Sequence, residues 1–331
     1  MSALSAVYGG VARLRRSWYE RRSSSRVRLS RPVISIGNLV AGGSGKTPVV
    51  AAVAEVLARM GHRPAILSRG YGRTDRSSEV VVVSDGSGPL VAVEQSGDEP
   101  QMLARESSGV PVVVAADRAS AGRTAIDRFD STVLILDDGF QHLQLDRTVD
   151  LLVMSSVDLG EKLLPSGQLR EPLSAARAAH AVLVYGTSAE AEHIARQVGV
   201  ERSFFVTSAS LPLRALHGTV LPGMAPPGQT RVAAAAAIAR PKRFYDAVRR
   251  QGYEVVSEFT FPDHHWFTDA DVKEIETGAR QLGASAIVTT AKDAVRLERH
   301  RGVLTLPWVI LPLKVSIEPG AEFESWLRQR L

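Results

Sequence analysis

Short apolar runs alternate with longer stretches of helical spacing along most of the chain. Val33–Ile36 is a continuous apolar-rich run and reads as a buried strand. Val49, Val50, Val53, Val56, Leu57 and Met60 then recur at helical spacing, which predicts a helix over 48–60 that stops at Gly61. Ala65–Leu67, Val80–Val83, Val112–Ala115, Val133–Leu136, Leu151–Met154 and Val182–Tyr185 are further short β-rich runs. Strands alternating with helices predict a mostly parallel sheet covered on both faces, with ligands gathering at the carboxyl ends of the strands. Residues 212–230 are rich in Pro and Gly and read as a linker. Beyond them a second alternation begins at Arg231. It comprises a helix over Pro241–Arg250, a strand over Glu254–Phe261 and a helix capped by Thr268 that runs to about Gln281. Strands at Ile287–Thr289 and Val309–Leu311 and a last helix over Glu322–Leu331 complete it. The expectation is an α/β protein. A three-layer α/β/α domain with a mostly parallel sheet spans 31–211, and a second, smaller α/β/α domain spans 231–331.

The first thirty residues carry a different pattern. Leu4, Val7, Val11, Leu14 and Trp18 are spaced along one helical face, with Tyr8 and Tyr19 beside them. Eight arginines against the single acid Glu20 give residues 1–31 a net charge of +7. The whole chain of 331 residues carries +5, so the remainder is slightly acidic. A basic helix with an apolar, aromatic face is suited to an anionic membrane interface. Packing on the chain's own body and a nucleic-acid tail are the other readings of the same segment. Gly9 and Gly10 each weaken such a helix by about 1 kcal/mol relative to Ala. The apolar part precedes the charges and no small-residue cleavage site follows, which argues against a secretory signal. No run of 18 or more apolar residues exists, so no spanning helix is expected. The absence of cysteine excludes disulfides and thiolate metal sites.

The strand at Val33–Ile36 leads into Gly37-Asn38-Leu39-Val40-Ala41-Gly42-Gly43-Ser44-Gly45-Lys46-Thr47-Pro48. Strand, glycine-rich turn, Lys-Thr and helix, in that order, make a phosphate cradle. Gly42, Gly43, Ser44 and Gly45 let backbone N–H groups turn inward around phosphate oxygens. Lys46 reaches the β- and γ-phosphates, and the Thr47 hydroxyl ligates Mg²⁺. The helix N-terminus adds to the attraction for anions. Val40 stands where the usual G-x-x-x-x-G-K-[ST] pattern has its first glycine. The pattern therefore predicts a nucleoside triphosphate ligand.

Other clusters sit at predicted strand ends. Asp137-Asp138-Gly139 follows an apolar strand, the usual place for a Mg²⁺-directed carboxylate behind a phosphate loop, although the same residues also suit a plain turn. Asp98 and Glu99 lie between Gly97 and Pro100 and read either as functional acids or as helix caps. Arg118 follows the strand Val112–Ala115 and suits either a phosphate or a surface ion pair. Arg170 and Glu171 offer a cation for transition-state charge and a further metal-side acid, although taken alone such a pair also suits a solvated loop. In Pro262-Asp263-His264-His265 the two adjacent histidines make a poor zinc site, so an orienting or proton-handling role is expected. Lys292, in Thr289-Thr290-Ala291-Lys292-Asp293, is placed to approach phosphate.

In order along the chain, these pieces resemble the tetraacyldisaccharide 4′-kinase family, the lipid A 4′-kinases of Gram-negative bacteria. The resemblance rests on the phosphate loop followed by Ser68-Arg69-Gly70-Tyr71-Gly72, Gly97-Asp98-Glu99-Pro100 and Asp137-Asp138-Gly139-Phe140-Gln141-His142. Leu169-Arg170-Glu171-Pro172, Asp263-His264-His265 and Thr290-Ala291-Lys292-Asp293 complete it, so it covers about residues 30–295. It implies transfer of the ATP γ-phosphate to the 4′-hydroxyl of an acylated glucosamine disaccharide 1-phosphate, giving lipid IVA, at the cytoplasmic face of the bacterial inner membrane. It also implies two α/β/α domains joined by a short β linker, with the active site in the cleft. Asp98 is then the base for the sugar hydroxyl, assisted by His264. Lys46, Thr47, Asp138 and Glu171 are the phosphate and Mg²⁺ groups with Asp137 beside them, and Arg118 and Arg170 face phosphate. The Val40 departure is shared by the family. Ser44 stands where Thr is common and Ala291 where Glu is common, and the second weakens any role for 290–293. The alternative is a membrane-attached regulatory ATPase, which has no use for Asp98 or the Pro-Asp-His-His run. A nucleic-acid partner is not expected, because the body carries no basic surplus.

Overall fold

The computed structural model describes residues 2–43, 45–75, 79–216, 228 and 230–331. Ser44 and most of the 212–230 stretch lie outside them. The chain divides into a larger unit, residues 1–207 with 315–331, and a smaller unit, residues 208–314.

The larger unit is built on a nine-stranded sheet. Its first eight strands are β1 (Val33–Gly37), β2 (Pro64–Ser68), β3 (Val80–Ser84), β4 (Val112–Ala115), β5 (Val133–Asp137), β6 (Val149–Met154), β7 (Ala181–Tyr185) and β8 (Ser203–Ser210). Its helices are α1 (Ala3–Arg21), α2 (Lys46–Arg59), the single turn α3 (Val93–Ser96), α4 (Asp98–Glu106), α5 (Arg118–Phe129) and α6 (Ser188–Val198). β1 lies between β5 and β6, and the pairings from β2 through β8 are parallel, with β3 antiparallel on β4. β1, β2, β4, β5 and β6 are buried along their whole length. That is why they read as unbroken apolar runs rather than alternating ones.

The smaller unit carries a five-stranded sheet. Its strands are β9 (Arg214–Ala215), β10 (Arg231–Ala236), β11 (Glu254–Thr260), β12 (Ala286–Thr290) and β13 (Trp308–Leu311). Its helices are α7 (Pro241–Arg250), α8 (Asp269–Gln281) and α9 (Ala291–Leu297). β10 to β13 pair in parallel, and β9 is antiparallel on β13. Thr268 caps α8 through a reciprocal box with Asp271, as the sequence predicts.

The C-terminal boundary differs from expectation. β14 (Leu313–Glu318) joins the edge of the larger sheet beside β8, and α10 (Gly320–Arg328) follows it. Phe323 and Trp326 of α10 pack on Phe204 of β8, with ring centroids 5.0 and 5.6 Å apart. The last segment therefore completes the first core rather than the second. Part of the expected linker is also structured, since β9 falls within it.

Candidate phosphate-loop active site

β1 delivers the chain to the glycine turn at the carboxyl edge of the sheet. Gly37 is required there, because a Cβ would lie 2.4 Å from the Phe140 Cβ. Val40 needs no left-handed backbone. It is buried and pairs with Leu169, while Ala41 donates to the Gln168 carbonyl and Arg170 donates to the Leu39 carbonyl. This short ladder explains the missing first glycine and ties the 168–170 segment to the loop.

The rest of the turn fits a phosphate. Gly42 and Gly45 have φ of 104° and 76°, and α2 starts at Lys46 with no side-chain cap on its first N–H groups. Those N–H groups and the helix dipole are the anion-binding device of such turns. Gly45 is fixed from the other side, where the Tyr185 hydroxyl donates to its carbonyl at 2.8 Å. Gly43 is exposed and Thr47 is buried in the first turn of α2. Ser44 lies outside the described residues.

Lys46 Nζ donates to Asn38 Oδ1 at 3.0 Å and lies 3.4 Å from Asp138 Oδ1. Arg170 donates to Asp138 Oδ2 at 2.7 Å. Burial works against the Asp138 charge, but Lys46 and Arg170 outweigh it and hold the carboxyl below its ordinary value. Asp138 has a φ of 53°, an uncommon conformation for a non-glycine residue and one that clusters at functional sites. Its neighbour is in the opposite state. Asp137 is fully buried and accepts from Ser68 Oγ at 3.0 Å. Burial, then the charges of Glu99 and Asp138, push it up to about 7. Its Oδ1 is buried with no hydrogen-bond partner, an orphaned acceptor that fits a cation or a cation-bound water.

Asp98 is buried at the first position of α4. The preceding Gly97 has a φ of 86°, and a Cβ there would meet the Tyr71 carbonyl at 2.5 Å. The Ser68–Gly72 loop thus reaches from the end of β2, where Ser68 holds Asp137, to the Asp98 turn. Glu99 is close enough for its charge to raise Asp137, so the two acidic segments share one edge of the sheet. Arg118 is buried rather than paired on the surface. Burial and then Arg69 lower it to about 10, against the charges of Asp137, Asp138 and Asp117, so it remains a cation facing those acids. Among the described residues no cluster of three His, Cys, Asp or Glu side chains forms a complete metal cage.

Glu171, expected as a metal-side acid, is paired with a cation in this structure. Both of its oxygens are taken by Arg16 of α1, at 3.0 Å from Nε and 2.6 Å from Nη2. Its charge is already balanced by a buried cation.

In the smaller unit, His264 has a φ of 64°. Its Nδ1 lies 3.0 Å from Arg296 Nη2 and its Nε2 lies 3.1 Å from Lys292 Nζ. A guanidinium only donates, so Nδ1 is an accepting nitrogen. Lys292 also donates to Asp263 Oδ1 at 3.1 Å. The 290–293 segment, weakened by Ala291 in the sequence reading, therefore positions His264. His265 is structural: it stacks on Phe261 and contacts Asp271 Oδ2 at 3.0 Å.

Asn38, Gln141, Ser68 and Arg16 were not assigned roles from sequence. The first three sit inside the motifs and could be found there by asking which polar residues flank the loop. Arg16 lies among seven other arginines, and nothing in the N-terminal pattern singles it out.

A glycine turn before an uncapped helix, a Lys–Asp–Arg cluster and an adjacent strand-end acid define an enzyme of the phosphate-loop class that transfers phosphoryl groups. The chain belongs to the family described as Tetraacyldisaccharide-1-P 4′-kinase, which it matches over residues 1–331. It is 37% identical over 327 residues to a tetraacyldisaccharide 4′-kinase of Syntrophus aciditrophicus, covering 94% of this chain and 87% of that one. It is 39% identical over 307 residues to one of Geobacter sulfurreducens, covering 89% and 83%. Among solved structures it is similar to LpxK from Aquifex aeolicus in complex with ATP. The TM-score there is 0.78 at 28% identity, covering 98% of this chain and 96% of that one.

Proposed function

We propose that this chain transfers the γ-phosphate of ATP to the 4′-hydroxyl of tetraacyldisaccharide 1-phosphate, giving lipid IVA in lipid A biosynthesis. The observation that carries the reading is the Lys46–Asp138–Arg170 cluster beside the glycine turn, with Asp98 buried at the start of α4.

The chemistry divides among the residues as follows. Gly42, Gly43 and Gly45 present N–H groups to the β- and γ-phosphates, and Ser44, outside the described residues, belongs to the same phosphate-binding motif. Lys46, Arg118 and Arg170 neutralise charge that spreads over the γ-phosphoryl oxygens in the transition state. Thr47 and Asp138 would hold Mg²⁺, with the orphaned Oδ1 of Asp137 behind them. The ion supplies charge neutralisation and a fixed geometry for the phosphate tail. Asp98 accepts the proton of the 4′-hydroxyl as the oxygen–phosphorus bond forms and the bond to ADP breaks. A free carboxylate near pKa 3.9 is a weak base, and Asp98 is buried at this position. His264 assists that proton transfer, held by Arg296 and Lys292.

The acceptor is a lipid, and α1 supports a peripheral place at the cytoplasmic face of the inner membrane. Leu4, Val7, Val11, Leu14 and Trp18 are all exposed, although α1 is seated on the body by another face. No helix among the described residues is long and apolar enough to cross a membrane. The basic surplus is confined to residues 1–31, and no nucleic-acid partner is proposed. Incubation with γ-labelled ATP, Mg²⁺ and purified lipid A disaccharide 1-phosphate tests the reading: label on the lipid is expected, and label released only as inorganic phosphate contradicts it.

A further inference from the structure

The N-terminal helix reaches the phosphate site through one buried contact. Arg16 is 6% exposed although it lies on a helix whose apolar stripe faces solvent. Its guanidinium forks onto both oxygens of Glu171, donates to the Phe140 carbonyl at 3.2 Å and lies 4.4 Å from the Phe140 ring centroid. The two segments it grips are the ones that carry the cluster. Phe140 is two residues past Asp138, and Glu171 follows Arg170. Gln141 continues the chain inward, donating to Glu171 Oε2 at 3.4 Å and to the Asn38 carbonyl at 2.9 Å. Asn38 Oδ1 in turn accepts from Lys46 Nζ. A series of direct hydrogen bonds thus runs from α1 to the phosphate-loop lysine.

The rest of the α1 seat lies at its first turns, where Ser2 and Ser5 bond Ser166 Oγ at 2.8 and 2.9 Å. Ser5 bonds the Leu163 carbonyl at 3.1 Å, and Gly9 lies so close that a Cβ would come 2.6 Å from Leu163 Cδ1. Near the Arg16–Glu171 pair a cavity of about 390 Å³ opens, lined by Ala12, Arg13, Ser17, Pro172 and Arg177 among others. Packing does not fill this half of the interface, so the fork carries the register between helix and loops. A bidentate arginine–carboxylate pair fixes direction as well as distance.

We propose that Arg16 is a positioning residue for phosphoryl transfer: by clamping Glu171 and the Phe140 carbonyl it sets the loops that present Asp138 and Arg170, and so makes turnover depend on a seated α1. The proposal rests on the roles given above to Asp138 and Arg170. A clamp of this kind acts on the reacting geometry and not on how tightly the lipid is held, and small misplacements of such groups cost large factors in rate.

The test compares wild type, Arg16→Leu and Arg16→Lys as full chains. In Arg16→Leu, kcat is expected to fall by about tenfold or more. KM for the lipid acceptor and co-sedimentation with anionic vesicles stay near wild type, and amide exchange rises at 138–141 and 169–171 only. Arg16→Lys, which keeps the charge but loses the fork, recovers part of kcat. An unchanged kcat with a raised acceptor KM would show that α1 only anchors, and overturns the proposal. So does exchange that rises across the whole larger unit with kcat falling in step with the folded fraction. If wild type transfers no phosphate, the kinase reading fails, while the local exchange result still decides whether the clamp exists.

Discussion

Two adjacent aspartates at the end of β5 behave oppositely because one faces cations and the other is sealed off. Asp137, pushed up to about 7, binds a proton in the folded state that the unfolded chain has released by pH 5. Its burial therefore costs little at acid pH and destabilises increasingly as pH rises from about 4 to 7. Asp137→Asn is expected to raise the thermal midpoint at pH 8 in the absence of nucleotide, with the gain shrinking towards pH 5. A gain that is the same at both pH values contradicts the assignment. Asp98→Ala is expected to lower kcat by about 10²-fold or more while ATP affinity persists. Near-normal turnover removes Asp98 from the base role. These residues were legible from sequence because strand ends followed by acids or glycines are uncommon and have a mechanism attached. The pairing of Glu171 was not legible, because its partner is about 150 positions away and only the folded chain brings Arg16 to it. Val40 looked like a defect for a similar reason: its extended conformation is set by pairing with Leu169, a non-local contact.

At the scale of elements, helical spacing located α1 but could not say which face the body would take. The body takes Ser5, Gly9 and Arg16, and the apolar stripe is left outside, with Leu4 and Leu14 70% and 73% exposed. Gly9, which counts against the helix by propensity, is the point of closest approach to Leu163. Docking on the body thus uses one face of the helix and leaves outside the apolar face proposed above to meet a membrane. Each apolar side chain transferred out of water contributes about 1.5–3 kcal/mol, and each arginine near anionic lipid about 1 kcal/mol. Leu14→Glu is expected to reduce co-sedimentation with anionic vesicles by about tenfold or more and to leave the thermal midpoint unchanged. Unchanged sedimentation removes the stripe from membrane binding. The central strands of the larger sheet were legible because buried parallel strands are nearly uniform in apolar character, whereas β9 fell inside the expected linker. β8 and β14 were not, since Ser203–Ser210 and Leu313–Glu318 mix polar and apolar residues at the edge of the larger sheet.

At the scale of the whole molecule, sequence order misassigns the C-terminal segment. A linear reading gives everything after the linker to one domain, yet β14 and α10 return to the larger sheet. Removing residues 315–331 would strip Phe323, Trp326 and Leu327 from the first core. Losses of about 3–5 kcal/mol for each large buried side chain exceed what a domain of ordinary stability tolerates. The truncated chain is expected to lose ATP binding and the main thermal transition, although residues 37–48 are intact. A truncated chain with wild-type ATP affinity contradicts the assignment.

The glycine turn is proposed to hold a triphosphate so that Asp98 directs an alcohol, not water, at its terminal phosphorus. ATP consumption measured with and without the acylated disaccharide 1-phosphate decides it most directly. Consumption is expected to be slow alone, to rise strongly with the acceptor and to match phosphate gained by the lipid mole for mole. Consumption that is equally fast without the acceptor would identify a hydrolytic switch instead.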